Sequence, residues 1–299
     1  TGFTTGTMIT GLTQNYYNFV WNCASQTGSA NLTSLVTTVN GNFHVKNTGT
    51  SELRLTGTAA ATLTIGGDLI IGGNSTGGGS TFNIASGASP GVAINLRGGL
   101  TITAGALSST NTAGGTRQLY FDSSLGNTQN VSVISTALPN PIDIYVSNSN
   151  GSKVKLLSDV TTTGQFEVST GAIMDFGIYA LLGTQAAGKT FYAWSGSNLI
   201  TANTNAVGAF TTTGANGAVQ LTGTRTFTGA NFTFNGTAAQ KTGAAVVNIG
   251  SLTMNNVGST VTLTNACTMS GTLTLTNGKL ILGNNTLTMS NNAPSAVVG

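Results

Sequence analysis

Residues Thr272 to Asn292 contain three consecutive heptads that align without a gap: Thr272 to Gly278 is TLTLTNG, Lys279 to Asn285 is KLILGNN, and Thr286 to Asn292 is TLTMSNN. Each heptad has apolar residues at its second and fourth positions and then turn formers. A coiled coil also repeats every seven residues, but its apolar positions lie three and four apart; here they lie two apart, the side-chain period of a strand. The heptads are strand-and-turn units.

The same phrase recurs along the chain. Ala61 to Gly67 reads ATLTIGG, Gly99 to Ala104 reads GLTITA, and Asn231 to Gly236 reads NFTFNG, each a short alternating strand. Between such runs lie corners such as Gly72 to Ser80, GGNSTGGGS, which supply the turn conformations that a Cβ resists. Helix signals are weak, and the best candidate, Ile178 to Ala187, is interrupted by Gly183 and Thr184. A longer-range similarity joins the two ends: Gly57 to Ala60 (GTAA) precedes Ile65 to Leu69 (IGGDL), and Gly236 to Ala239 (GTAA) precedes Ile249 to Leu252 (IGSL).

Short strands arriving about every 8 to 12 residues fit a stacked β-solenoid or tandem antiparallel β-sandwiches. Asn277-Gly278 is a hairpin signal and favours antiparallel pairing locally. Near-identical strand phrases, small residues at corners and a lack of charge favour the solenoid, because stacking like on like suits Thr, Asn, Val and Leu and penalises charge. The expected fold is therefore all-β: a right-handed parallel β-helix forming a rod, with residues 1–299 one continuous segment of a longer chain. At roughly 20 to 25 residues per coil and about 4.8 Å between coils, the rod has about 12 to 15 coils and a length of about 60 to 70 Å. Cys23 and Cys267 then lie many coils apart, beyond the roughly 7 Å Cα separation a disulfide tolerates, and read as two small buried apolar residues.

Composition excludes several classes. The 17 charged side chains are 6% of the chain, against roughly 25% in an ordinary soluble protein. A hydrophobic content of 39% with a net charge of only +3 is incompatible with disorder. The 42 glycines never take the every-third-residue period of collagen. No apolar run reaches the roughly 18 residues of a membrane-spanning helix, so no membrane insertion is expected. The sequence pI near 9.0 rests on ten scattered Lys and Arg residues, not on the concentrated basic stripe that nucleic-acid binding requires. Thr1 opens without a Met or a leader pattern, which reads as a mature or excised segment. The two cysteines form no CxxC.

Four runs carry a family resemblance: Phe166 to Phe176 (FEVSTGAIMDF), Ser197 to Asn203 (SNLITAN), Thr224 to Ala239 (TRTFTGANFTFNGTAA) and Gly271 to Met289 (GTLTLTNGKLILGNNTLTM). They resemble the repetitive β-solenoid regions of large Bacteroidota surface proteins, the adhesins and gliding-type fibres. The resemblance covers most of the chain, with residues 120–165 matching least. It implies export through the type IX secretion system, display at the cell surface, and a role as stalk or binding rod. That family has no fixed catalytic motif, so it implies no functional residue.

Candidate chemistry is sparse. Parallel β-helices also host polysaccharide lyases and hydrolases, which need carboxylates grouped in one groove or set beside Arg or Lys. Glu52, Asp68, Asp122, Asp143, Asp159, Glu167 and Asp175 are spread singly. Asp159, Glu167 and Asp175 recur every eight residues, and catalysis would gain if Glu167 met Asp175, or Asp143 met Asp159, beside a cation. Solvated turns are the plainer reading. Gly66-Gly67-Asp68 is a single fragment of the calcium-binding nonapeptide pattern, which needs repeated units. His44 has no second His or Cys nearby and reads as a surface or groove residue.

Tyr17, Phe19 and Trp21 alternate onto one strand face, where stacked rings can hold a sugar but more often form an inward or end-capping core. Thr-x-Thr recurs at Thr62/Thr64, Thr101/Thr103, Thr226/Thr228, Thr262/Thr264, Thr272/Thr274 and Thr286/Thr288. Ice-binding solenoids use such pairs in one register on one flat face, and the unequal spacing argues against it here. The expectation is a non-enzymatic extracellular structural or adhesive rod of a bacterial surface protein or fibre. No catalytic, cofactor or metal residue is assigned. A glycan or surface ligand and end-to-end self-association are the expected partners. A polysaccharide-processing enzyme and an ice-binding solenoid are the alternatives.

Overall fold

The computed structural model describes residues 11–73, 79–88, 91–111 and 114–299, and the chain there winds through three faces in turn. The first face is one sheet whose order runs without interruption from Phe19–Asn22 through twelve strands to Val297–Val298, with Gln240–Lys241 pairing off this path. Each strand pairs in parallel with the one a coil further along. The second face begins with Ala30–Asn31 and is carried on by Val160–Thr161, Leu181–Gly183 and Val219–Leu221. The third runs from Thr38–Val39 to Arg225–Thr226, and Asn248–Ile249, Cys267–Met269 and Leu287–Met289 continue it. This is a parallel β-helix. Among the described residues the helical structure is a single 3-10 turn, Pro294–Ala296. The residues 74–78 of the expected Gly72 to Ser80 corner lie outside the described residues.

The three heptads make one coil. Leu273 lies on the first face, Lys279–Ile281 on the second and Leu287–Met289 on the third, and Leu252 pairs with Leu273 exactly one such turn earlier in register. The hairpin expected at Asn277-Gly278 does not form. Strand Leu273–Ile281 continues through it, parallel to Leu252–Thr262, with register shifts around Asn255. Gly278 has φ +85°, and a Cβ there would collide with the carbonyl oxygen of Asn256. The left-handed conformation that could have reversed the chain bends it round a corner instead. The two IGGDL/IGSL phrases also occupy equivalent places, leading from the third face into Leu69 and Leu252 of the first.

Coil length varies from the 20 residues separating Val154 from Met174 on the first face to the 38 separating Leu181 from Val219 on the second. Twelve strands at about 4.8 Å per step give about 53 Å, below the expected range, because the longer coils spend residues on loops such as 202–218.

Inside, alternate side chains from all three faces fill one continuous core from Phe19 to Leu273. Phe19, Phe43 and Phe82 stack at 4.8 and 5.0 Å, and Phe210 meets Phe176, Phe227, Phe232 and Phe234 edge-on. Outside, identical residues align, as in the in-register column Thr233, Thr253 and Thr274. Cys23 follows the first strand of the first face and Cys267 lies beyond the tenth, about 43 Å away at nine steps; both are free thiols.

Candidate binding surface on the third face

On the third face, Leu119, Phe121, Ile144, Val146, Phe166, Val168, Phe191 and Ala193 point inward and are buried. Strand alternation therefore turns the residues between them outward. Those residues are Tyr120, Tyr145, Glu167 and Tyr192, and the parallel register sets them one above another on four successive coils. The column continues at either end with small polar residues, Thr38, Thr64 and Asn95 before and Thr226 after.

Tyr120 and Tyr145 stack at 4.8 Å with their planes 17° apart. Tyr192 lies 4.7 Å from Trp194, a residue 45% exposed. The Trp194 indole donates to Glu167 Oε1 at 2.6 Å, and Gln165 Nε2 donates to Glu167 Oε2 at 2.9 Å. The backbone N–H of Gln165 also donates to Asp143 Oδ1 at 2.9 Å, and Lys189 Nζ meets Asp143 Oδ2 at 2.7 Å. One glutamine thus joins two carboxylates, so that Lys189, Asp143, Gln165, Glu167 and Trp194 form a single hydrogen-bonded chain across the face. Burial pushes the Tyr120 phenol up, with Tyr145, Glu167 and Asp143 adding to the rise, so it stays a protonated donor at neutral pH. The surface combines the partly open Glu167 carboxylate, phenol donors and partly open ring faces, while Asp143 is buried.

The carboxylates singled out by spacing are distributed differently. Asp159 accepts the Ala180 N–H at the entry to the second face, Glu167 is on the third, and Asp175 on the first. Eight residues is the length of one side of a coil, so this spacing sends successive acids to different faces. Asp175 is held by the Gly177 N–H at 2.9 Å and by Lys153 at 3.9 Å. Asp143 meets Lys189 and not Asp159. Asp68 accepts the backbone N–H of Gly99. His44, half-buried, contacts the Gly72 carbonyl at 2.8 Å. Phe19 and Trp21 point into the core, and Tyr17 is 76% exposed at the neighbouring end. The Thr-x-Thr pairs are scattered: Thr62 and Thr64 lie on the third face, Thr101 and Thr274 on the first, and Thr262 on the second.

Tyr120, Tyr145, Tyr192, Trp194, Gln165 and Lys189 were not singled out by motif. A signal existed: LYF at 119–121, IYV at 144–146 and FYA at 191–193 each set a tyrosine between core residues. Among the described residues, no group of three His, Cys, Asp or Glu is placed to hold a metal ion. No known protein family, curated protein or solved structure matches the chain.

Proposed function

We propose that the chain is a non-enzymatic extracellular rod, structural or adhesive, of a bacterial surface protein or fibre. The observation that carries this reading is the first face, a parallel sheet running unbroken from Phe19–Asn22 to Val297–Val298. Its hydrogen bonds point along the rod axis, so an axial pull loads all the bonds of a coil interface together, and no break between globular units offers a weaker joint. The outer columns are mainly hydroxyl and amide, which keep the surface wet without the repulsion that stacked charges would bring. The adhesive half of the reading is supported by the third face, where aromatic and acidic side chains replace the small polar residues of the flanking coils.

Two measurements on the purified chain test the reading. Small-angle scattering is expected to give an elongated particle with an axis of about 53 Å or more. Incubation with neutral and acidic polysaccharides is expected to release no reducing ends or unsaturated products. A compact particle, or product that accumulates with protein concentration, would overturn it.

A further inference from the structure

We infer that the outer surface of the third face between Tyr120 and Trp194 is a platform for a neutral polysaccharide chain lying along the rod axis. This rests on the adhesive reading and gives it a site and a ligand class.

Three observations converge. The first is concentration: three of the six tyrosines, one of the two tryptophans and two of the seven acids of a charge-poor chain belong to this one column and the hydrogen-bonded chain across it, over four consecutive coils. The fold does not demand them, because Thr and Asn fill the same column on neighbouring coils. The second is fixation. Glu167 is held by Trp194 and Gln165, Asp143 by Lys189 and the Gln165 amide, and Tyr120 by stacking on Tyr145. Side chains already locked lose little freedom when a ligand arrives. They also recur at about 4.8 Å, comparable to the length of one pyranose residue, so successive sugars meet successive coils.

The third is charge. Lys189 neutralises Asp143, whereas Glu167 forms no ion pair among the described residues. The platform keeps a negative charge, which opposes uronate or phosphate chains and suits sugar hydroxyls that donate to carboxylate and phenol oxygens. The partly open rings of Tyr192 and Trp194 supply apolar contact for the C–H faces of the sugars.

Tryptophan fluorescence of the intact chain tests this, because Trp194 is exposed and Trp21, the second tryptophan, is buried. The probes are cellohexaose, xylohexaose, mannohexaose and maltohexaose, with hexagalacturonate as the anionic probe. At least one neutral hexaose is expected to give a saturable change that Trp194→Phe abolishes, and hexagalacturonate none. Tyr192→Ala should weaken binding about tenfold or more without moving the unfolding midpoint. Glu167→Gln, which keeps an oxygen facing Trp194, should retain neutral binding and begin to admit hexagalacturonate, an effect that a merely structural role would not produce. Silence toward all four neutral hexaoses, an equal response to hexagalacturonate in the unmodified protein, or full binding by Tyr192→Ala would overturn the inference. A protein that binds none of them still scatters as a rod, so failure here and failure of the rod reading are separable.

Discussion

Asp68 accepts the backbone N–H of Gly99 at 2.6 Å, one coil further along the rod. Its own N–H is received by Asn42 Oδ1 at 2.8 Å, and that of Asn42 by Asn18 Oδ1 at 2.8 Å. Asn231 Oδ1 and Ser251 Oγ do the same for Ser251 and Thr272 at the other end. At the corner between the third and first faces, side-chain oxygens thus satisfy amides at the start of the next coil's strand. Asp68 fills that role for Gly99.

Asp68→Ala is therefore expected to destabilise the protein by about 1 kcal/mol, the usual net worth of such a bond. Asp68→Asn keeps an acceptor oxygen in place and should lose much less. Urea unfolding of both variants checks this; equal losses would mean that the charge matters and not the acceptor.

Arg225 carries the neighbouring loop. It is buried, and it donates from Nε to the Leu221 carbonyl at 2.8 Å, from Nη1 to the Thr211 hydroxyl at 3.0 Å and carbonyl at 3.3 Å, and from Nη2 to the Gly214 carbonyl at 2.6 Å. No carboxylate pairs with it in these contacts, and burial lowers its pKa from the ordinary arginine value. Its charge is held by carbonyl dipoles from the loop it pins. Arg225→Ala should cost about 3 kcal/mol by orphaning several buried acceptors, and Arg225→Lys should not restore it, because one ammonium cannot span the fork. Thermal unfolding gives the loss, and faster proteolysis within 202–218 would place it in this loop.

The heptads of 272–292 made the rungs legible because strand period and turn chemistry agree within seven residues. The same local rules could not settle Asn277-Gly278, since a hairpin and a solenoid corner both ask for a positive φ. Only the pairing of Thr260 with Lys279 beyond the bend separates them. The third-face column was harder to read. Tyr120, Tyr145, Glu167 and Tyr192 are separated by 25, 22 and 25 residues, because loops change the length of each coil, and an irregular spacing shows no period. The regular eight-residue spacing of Asp159, Glu167 and Asp175 was visible but measured a side of the coil, which is why it joined nothing.

Asp122 gives a pH signature. Burial pushes its carboxyl up, against the pull of Arg97, and its Oδ1 is buried without a hydrogen-bond partner. A carboxyl with a raised folded-state pKa favours folding only while protonated. Its contribution is full below the ordinary aspartate range and is lost as pH rises through the raised value. At pH 7, Asp122→Asn should therefore be the more stable protein, by less than about 1 kcal/mol given its partial exposure, and the gap should close near pH 3.5. Melting curves at the two pH values check the sign. A less stable Asp122→Asn at pH 7 would mean that attraction to Arg97 outweighs desolvation.

The thiols test the winding itself. Burial pushes Cys267 up to about 11, and it is 2% exposed, whereas Cys23 is half-buried with a thiol that burial also raises. Since the thiolate is the reactive form, only about one Cys267 in a thousand is ionised at pH 8, and that fraction is shielded by the strands on either side, Asn248–Ile249 and Leu287–Met289. A thiol reagent should modify Cys23 first and reach Cys267 only on the timescale of coil opening, so Cys23→Ser should remain silent until denaturant is added. Oxidation should give no Cys23–Cys267 bridge within one chain, because nine coil steps hold the two about 43 Å apart. The disulfides that form should be between chains and should vanish in Cys23→Ser. Mass spectrometry of the oxidised monomer decides the matter: an intrachain bridge would require the two ends of the stack to meet, which a straight parallel coil forbids.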